Sequence, residues 1–174
     1  MRWRVAVGLI MLCALTILVT AWAVAAQQPA NWVVVPGHAI GDIQLGMTHQ
    51  QVLNRLGMPD EISNDRSSDG SRNIYWVYPQ GTDRQVLVVS WTKRQDDMGG
   101  VDFIFTDYIR FVTSKGVTVG GSNFKDLITH YGMPERMSGV GRGAVMLYYE
   151  GQGIRFRVDG EGGKVNAVTI VPRK

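Results

Sequence analysis

Gly46-Met47-Thr48-His49-Gln50-Gln51-Val52-Leu53-Asn54-Arg55-Leu56-Gly57-Met58-Pro59 decides the fold, because the chain writes the stretch twice. The second copy runs Gly121-Ser122-Asn123-Phe124-Lys125-Asp126-Leu127-Ile128-Thr129-His130-Tyr131-Gly132-Met133-Pro134. Thr48 followed by Gln51 has capping-box spacing, and Asn123 with Asp126 offers similar chemistry to the orphan N–H groups of a first helical turn. Val52, Leu53 and Leu56 form one apolar face, matched by Leu127, Ile128 and Tyr131. Gly57 and Gly132 suit the left-handed position just past a helix end, and Pro59 and Pro134 forbid continuation. A helix of about eight or nine residues is too short to stand alone in water, so each must lie on a sheet.

Sheet-forming residues follow both copies. Ile74 to Tyr78, Gln85 to Trp91 and Val101 to Phe105 are β-branched and aromatic, with Pro79-Gln80-Gly81 and Met98-Gly99-Gly100 as turns. Ala144 to Tyr149, Ile154 to Val158 and Val165 to Val171 repeat the pattern, with turns at Glu150 to Gly153 and Gly160 to Gly163. Asn64 to Ser71 reads as a polar loop. Tyr108 to Ser114 reads as a continuation of the last strand of the first repeat. The expected fold is therefore α+β: two tandem helix-plus-antiparallel-sheet repeats, forming one continuous sheet with the short helices on one face. The first repeat takes residues 39–111 and the second 112–174, after a lead-in at 27–38 in which Trp32 to Val35 is a short strand or strap.

Residues 1–26 read as a signal peptide or an uncleaved membrane anchor. Arg2 and Arg4 precede an apolar run, and Ala23-Val24-Ala25-Ala26 offers small residues for cleavage. On either reading the positive flank directs the remainder to the extracytoplasmic side, periplasmic or secreted. Cys13, the single cysteine among 174 residues, lies inside that run, so the exported portion has neither disulfide nor cysteine metal ligand. The formal charge is +3, from 18 basic and 15 acidic residues. Setting aside Arg2 and Arg4 leaves 16 basic against 15 acidic, without the clustering that nucleic acid requires.

Catalytic and ligand motifs are weak. His38, His49 and His130 occupy unrelated positions and read as surface histidines. Asp65-Arg66-Ser67-Ser68-Asp69-Gly70 lacks the closing glutamate of a calcium loop, Trp76 standing in its place. Gly139-Val140-Gly141-Arg142-Gly143 precedes a strand and does not open a helix, so it is no phosphate cradle. Asp96-Asp97 reads as a solvated turn. The expectation is a non-catalytic protein without cofactor or metal.

The aromatic strands are more informative. Alternation places Ile154, Phe156 and Val158 toward the helices and Arg155 and Arg157 away from them. Aligning the repeats puts Leu87, Val89 and Trp91 on the arginine side, joined by Trp76, Tyr78 and Tyr148. The candidate protein-binding residues are thus Trp76, Tyr78, Trp91, Tyr148, Arg155 and Arg157, on an open face that is aromatic at one end and cationic at the other. The same side chains would serve equally as core beneath the Trp32 strap or the opposite repeat.

Gly46-Met47-Thr48, the short helix with Val52 and Leu56, Leu56-Gly57-Met58-Pro59 and the aromatic strand together resemble the BamE (SmpA/OmlA) family of small outer-membrane assembly lipoproteins. The tandem arrangement is similar to that of the β-lactamase inhibitor protein family, whose two helix-plus-sheet repeats form one concave surface. This chain differs in having no lipid-attachment cysteine after its apolar run, two copies of the unit, and no disulfide staples. The resemblance implies a non-catalytic extracytoplasmic module that binds another protein, in envelope assembly or in inhibition. A small-molecule, lipid or cell-wall glycan binder using the same aromatics is the alternative.

Overall fold

The computed structural model describes residues 33–174 apart from 67, 69, 70, 81–84, 95, 96, 161 and 162. The leader at 1–26 with Cys13, the first half of the lead-in including Trp32, and Asp96 lie outside the described residues. So do Ser67, Asp69 and Gly70 of the calcium-like stretch. The described residues belong to one compact unit, Trp32–Lys174.

The two stretches quoted above, at 46–59 and 121–134, each form a helix closed by reciprocal caps. In α1 (His49–Leu56) the Thr48 hydroxyl accepts the Gln51 N–H at 3.3 Å, while the Gln51 side chain accepts the Thr48 N–H at 2.8 Å. In α2 (Phe124–Tyr131) the Asn123 side chain accepts from Lys125 and Asp126, and Asp126 accepts the Asn123 N–H at 2.9 Å. Each box satisfies donors that a helix of this length cannot leave bare. The terminating glycines differ from the left-handed geometry expected. Gly57 sits at φ 78°, ψ −162° and Gly132 at φ 79°, ψ −166°, a region open essentially to glycine alone.

In chain order, β1 (Val33–Val35), β2 (Ala39–Ile40) and β3 (Ile43–Gln44) precede α1. Then come β4 (Glu61–Arg66), β5 (Arg72–Gln80), β6 (Gln85–Arg94), β7 (Asp97–Thr106) and β8 (Val112–Thr113). After α2 follow β9 (Arg136–Gly139), β10 (Val145–Tyr149), a single 3-10 turn (Glu150–Gln152), β11 (Ile154–Val158) and β12 (Val165–Ile170). The result is a mixed fold, mostly strands, in two sheets with two helices. The large sheet has eight strands in the order β4-β5-β6-β7-β12-β11-β10-β9, every neighbour antiparallel. A small sheet of order β3-β2-β1-β8 stands apart, with β8 parallel to β1.

Several strand boundaries depart from those expected. Glu61–Arg66, half of it placed in a polar loop, is a strand, because an edge strand needs only one hydrogen-bonded neighbour and tolerates exposed polar side chains on both faces. Met98-Gly99-Gly100 lies within β7, not in a turn. The chain uses Gly100 for closeness: a Cβ there would collide with the Gly46 backbone, which is bonded to Val101 at 2.7 Å. Residues after Tyr108 do not prolong β7; Val112–Thr113 crosses to the small sheet.

The core lies between the large sheet and its helices. One buried row crosses from Trp76 through Val89, Ile104, Ile170 and Ile154 to Tyr149 by direct cross-strand pairing. Its ends meet the two helices. Trp91, next to Trp76, stacks on His49 of α1 at 4.2 Å, and Tyr149 packs against Tyr131 of α2 at 5.6 Å. Both helices therefore cover the same face of the large sheet. Two tyrosines tie the helix ends down in parallel fashion. Tyr78 donates its hydroxyl proton to Gly57 O at 3.2 Å, and Tyr149 donates to Gly132 O at 3.1 Å. Burial pushes both phenols up to about 12.

Candidate functional site

Strand alternation assigns every second side chain of the large sheet to the face that carries no helix. On β11 those are Arg155 and Arg157, and on β10 they are Met146 and Tyr148, as their register with one another requires. On β5, β6 and β7 they are Tyr75, Val77, Val86, Val88, Phe103 and Phe105, all half-buried.

The residues expected to form one binding face thus divide. Tyr148, Arg155 and Arg157 are on the helix-free face. Trp76, Tyr78 and Trp91 are not: they are 9%, 5% and 0% exposed and pack beneath α1. Leu87 and Val89 join them in the core. The physical reason is the parity of strand register, since a shift of one residue exchanges the two faces. Trp91 also donates its indole N–H to Met47 O at 3.3 Å, the polar contact that a buried tryptophan needs. His49 is likewise no surface histidine. Its ring lies 4.2 Å from Trp91 and 5.2 Å from Trp76, its Nε2 is buried, and burial lowers its pKa.

One continuous row crosses all eight strands on the helix-free face. Its members pair directly in the order Glu61, Val77, Val88, Phe105, Thr169, Arg155, Tyr148, Arg136. The row begins with a carboxylate, passes over apolar and aromatic side chains, and ends in an arginine–tyrosine–arginine ladder. At that end the Arg136 guanidinium lies 3.4 Å from the Tyr148 ring centre and that of Arg155 lies 5.3 Å away. The Tyr148 hydroxyl shares a 3.1 Å hydrogen bond with Ser138, which with the two guanidinium groups holds the phenol below its ordinary range. Glu150 fixes Arg155 through contacts of 2.9 and 2.8 Å and is itself held by Lys174 at 3.2 Å. Arg157 is bonded to Asn166 at 2.7 Å.

Beside the apolar middle of the row lies a second, polar feature. Tyr75 and Phe103 flank Ser90, with ring centres 5.9 Å apart. Thr92 bonds Asn73 at 3.1 Å and also Asp102. Ser90 Oγ and Asp102 Oδ1 are buried without a hydrogen-bond partner in the structure.

Sequence reasoning missed Tyr75, Val77, Val88, Phe103, Phe105, Glu61, Arg136 and Ser138. For Arg136 and Ser138 the usable signal was weak: a four-residue edge strand between Pro134 and a glycine-rich turn. Among the described residues no three His, Cys, Asp or Glu side chains gather as metal ligands would, and no helix is long and apolar enough to cross a membrane.

No protein-family model matches the chain, and no curated protein matches it. Among solved structures, the chain is similar to a DUF4309 family protein (YjgB) from Bacillus subtilis. The two share 12% sequence identity over 72% of this chain and 78% of that one, at a TM-score of 0.48. A likeness of that size carries no functional inference.

Proposed function

We propose that the chain is a non-catalytic, extracytoplasmic protein-binding module, built as a tandem duplication of residues 39–111 and 112–174, that grips its partner with the helix-free sheet face. The observation that carries this reading is the eight-strand row from Glu61 to Arg136. Seven inter-strand steps of about 4.8 Å make it about 34 Å long. Aromatic and arginine side chains combine contact area with directional hydrogen bonding, which is why they dominate interface energetics. The partner's chemistry follows by complementarity: carboxylates toward Arg136 and Arg157, and apolar groups over Val88 and Phe105.

The duplication is supported by the matching caps, the two glycine-only helix stops and the paired tyrosine anchors. The strand order, in which β7 and β12 meet at the centre, is symmetric in the same sense. It is the arrangement that the resemblance to the β-lactamase inhibitor protein family implies. The extracytoplasmic setting rests on the leader-like residues 1–26, and membrane attachment enters only if those residues stay uncleaved. The alternative, a small-molecule, lipid or glycan binder built on the tryptophans, needs a cavity beneath Trp76 or Trp91. There the two rings pack edge-on at 4.7 Å and are capped by His49.

Affinity capture from an envelope fraction, followed by mass spectrometry, tests the proposal when run beside the triple variant Arg136→Ala, Tyr148→Ala, Arg155→Ala. The expected result is a protein retained by the native chain and lost from the variant at unchanged fold. Equal capture by both would refute it.

A further inference from the structure

A second concave feature lies away from the sheet face. Residues Val35 and Pro36, at the end of β1, form one wall of a pocket of about 280 Å³. Ser114 and Lys115, after β8, form another, and Gly151, Gln152 and Arg173 close it. The walls are pinned by backbone bonds: Gly37 N–H to Gly153 O at 3.0 Å, Val171 N–H to Gly153 O at 3.1 Å, and Ser114 N–H to Val34 O at 2.8 Å. Gly37 and Gly153 approach so closely that a Cβ on Gly153 would clash with the Gly37 backbone. The backbone walls of the pocket are therefore set by the fold.

We propose that this pocket binds a small free oxyanion, phosphate or a short dicarboxylate, independently of the protein-binding face. Two cations line it and both are held in place by neutral groups. The Lys115 ammonium donates to Gln152 Oε1 at 2.7 Å and stands 4.6 Å from the Tyr131 ring centre, while Gln152 in turn donates to Tyr131 O at 2.9 Å. The Arg173 guanidinium donates to Pro36 O at 3.2 Å. Neutral acceptors orient a cation without cancelling its charge. Among the described residues no carboxylate lines the pocket.

Of the acidic groups that touch this part of the fold, Glu150 is neutralised by cations, and Glu135 lies behind the Gly151 backbone. Glu135 accepts the Gly151 N–H at 2.9 Å, and Glu150 is taken by Arg155 and Lys174. Burial opposes the Glu150 charge, but Lys174 and Arg155 outweigh it and keep that carboxylate ionised and occupied. An ammonium, a guanidinium fork and the Ser114 hydroxyl together match an anion with several acceptor oxygens. The volume lies just below that of drug-sized ligand sites, which fits a small anion better than a large one.

The test is calorimetric titration of the full protein with inorganic phosphate and with succinate at fixed ionic strength, sodium chloride serving as control. Saturable binding of one or both is expected, and Lys115→Gln or Arg173→Gln should each weaken it about ten-fold, as loss of one charged hydrogen bond does. Both side chains are exposed, so melting temperature should not change. Should a variant fail to fold, amide shifts on the native protein decide, those of Ser114, Gly151 and Gln152 moving with phosphate. Sedimentation with phosphatidylglycerol vesicles against phosphatidylcholine vesicles separates a lipid headgroup from a free anion. Binding to vesicles alone, no saturable binding of either anion, or undiminished binding by both Lys115→Gln and Arg173→Gln would each overturn the proposal.

Discussion

Replacing Trp91 by alanine separates a core role from a contact role. The side chain is fully buried, stacked on His49 and edge-on to Trp76. A tryptophan buries roughly 150–250 Å², and at about 25 cal/mol per Å² its transfer term is about 4–6 kcal/mol. Measured truncations of buried aromatics cost about 3–5 kcal/mol, so about 4 kcal/mol is a fair expectation. The lost indole hydrogen bond adds little, because Met47 O keeps the Val101 N–H at 2.8 Å. For a unit of this size each kcal/mol moves the melting temperature by about 2–4 °C, giving a fall of roughly 8–16 °C. Phe105→Ala on the opposite face is the control and should stay within a few degrees of the native protein. Thermal unfolding followed by near-ultraviolet circular dichroism reads both. A Trp91→Ala protein that melts like the native chain, yet loses its partner, would refute the assignment of faces.

Three further outcomes follow from the helix end-caps and the half-buried histidine. Gly132→Ala has open space for its Cβ but a backbone reserved for glycine, so a loss of about 1–3 kcal/mol is expected in urea titration; an unchanged midpoint would contradict the strain. Tyr149→Phe removes the hydroxyl that holds Gly132 O and should cost about 1 kcal/mol by the same titration. Burial lowers the His49 pKa in the fold, so as pH falls the unfolded chain takes up the proton first. Stability should fall as pH drops below about 6.5, the unfolded histidine value, and that portion of the fall should vanish in His49→Gln. Identical pH profiles for the two proteins would dismiss the effect.

The helices were legible because capping and stopping chemistry is local: Thr48, Gln51, Asn123, Asp126 and the two glycines act within a single turn. In β11 the alternation of Ile154, Phe156 and Val158 with Arg155 and Arg157 is apolar against charged, so its two faces can be read directly. β5 and β6 defeat the same reading. Ile74-Tyr75-Trp76-Val77-Tyr78 and Val86-Leu87-Val88-Val89 are apolar at every position, so nothing local says which half faces the helices. Cross-repeat alignment then set the wrong parity and sent Trp76, Tyr78 and Trp91 to the open face in place of Tyr75, Val77, Val88 and Phe105. The edge strands β4 and β9 were hidden for another reason, since side chains exposed on both faces carry no period. The small sheet depends on strands of two and three residues whose pairing is non-local, β1 with β8 above all, and so leaves no sequence pattern.

The central claim concerns which face of the large sheet meets a partner. A photo-reactive phenylalanine analogue placed at position 105, in the middle of the row, should form a covalent adduct with the captured protein. The same group at position 129, on the exposed side of α2, should not. An adduct from position 129 and none from position 105 would contradict the account.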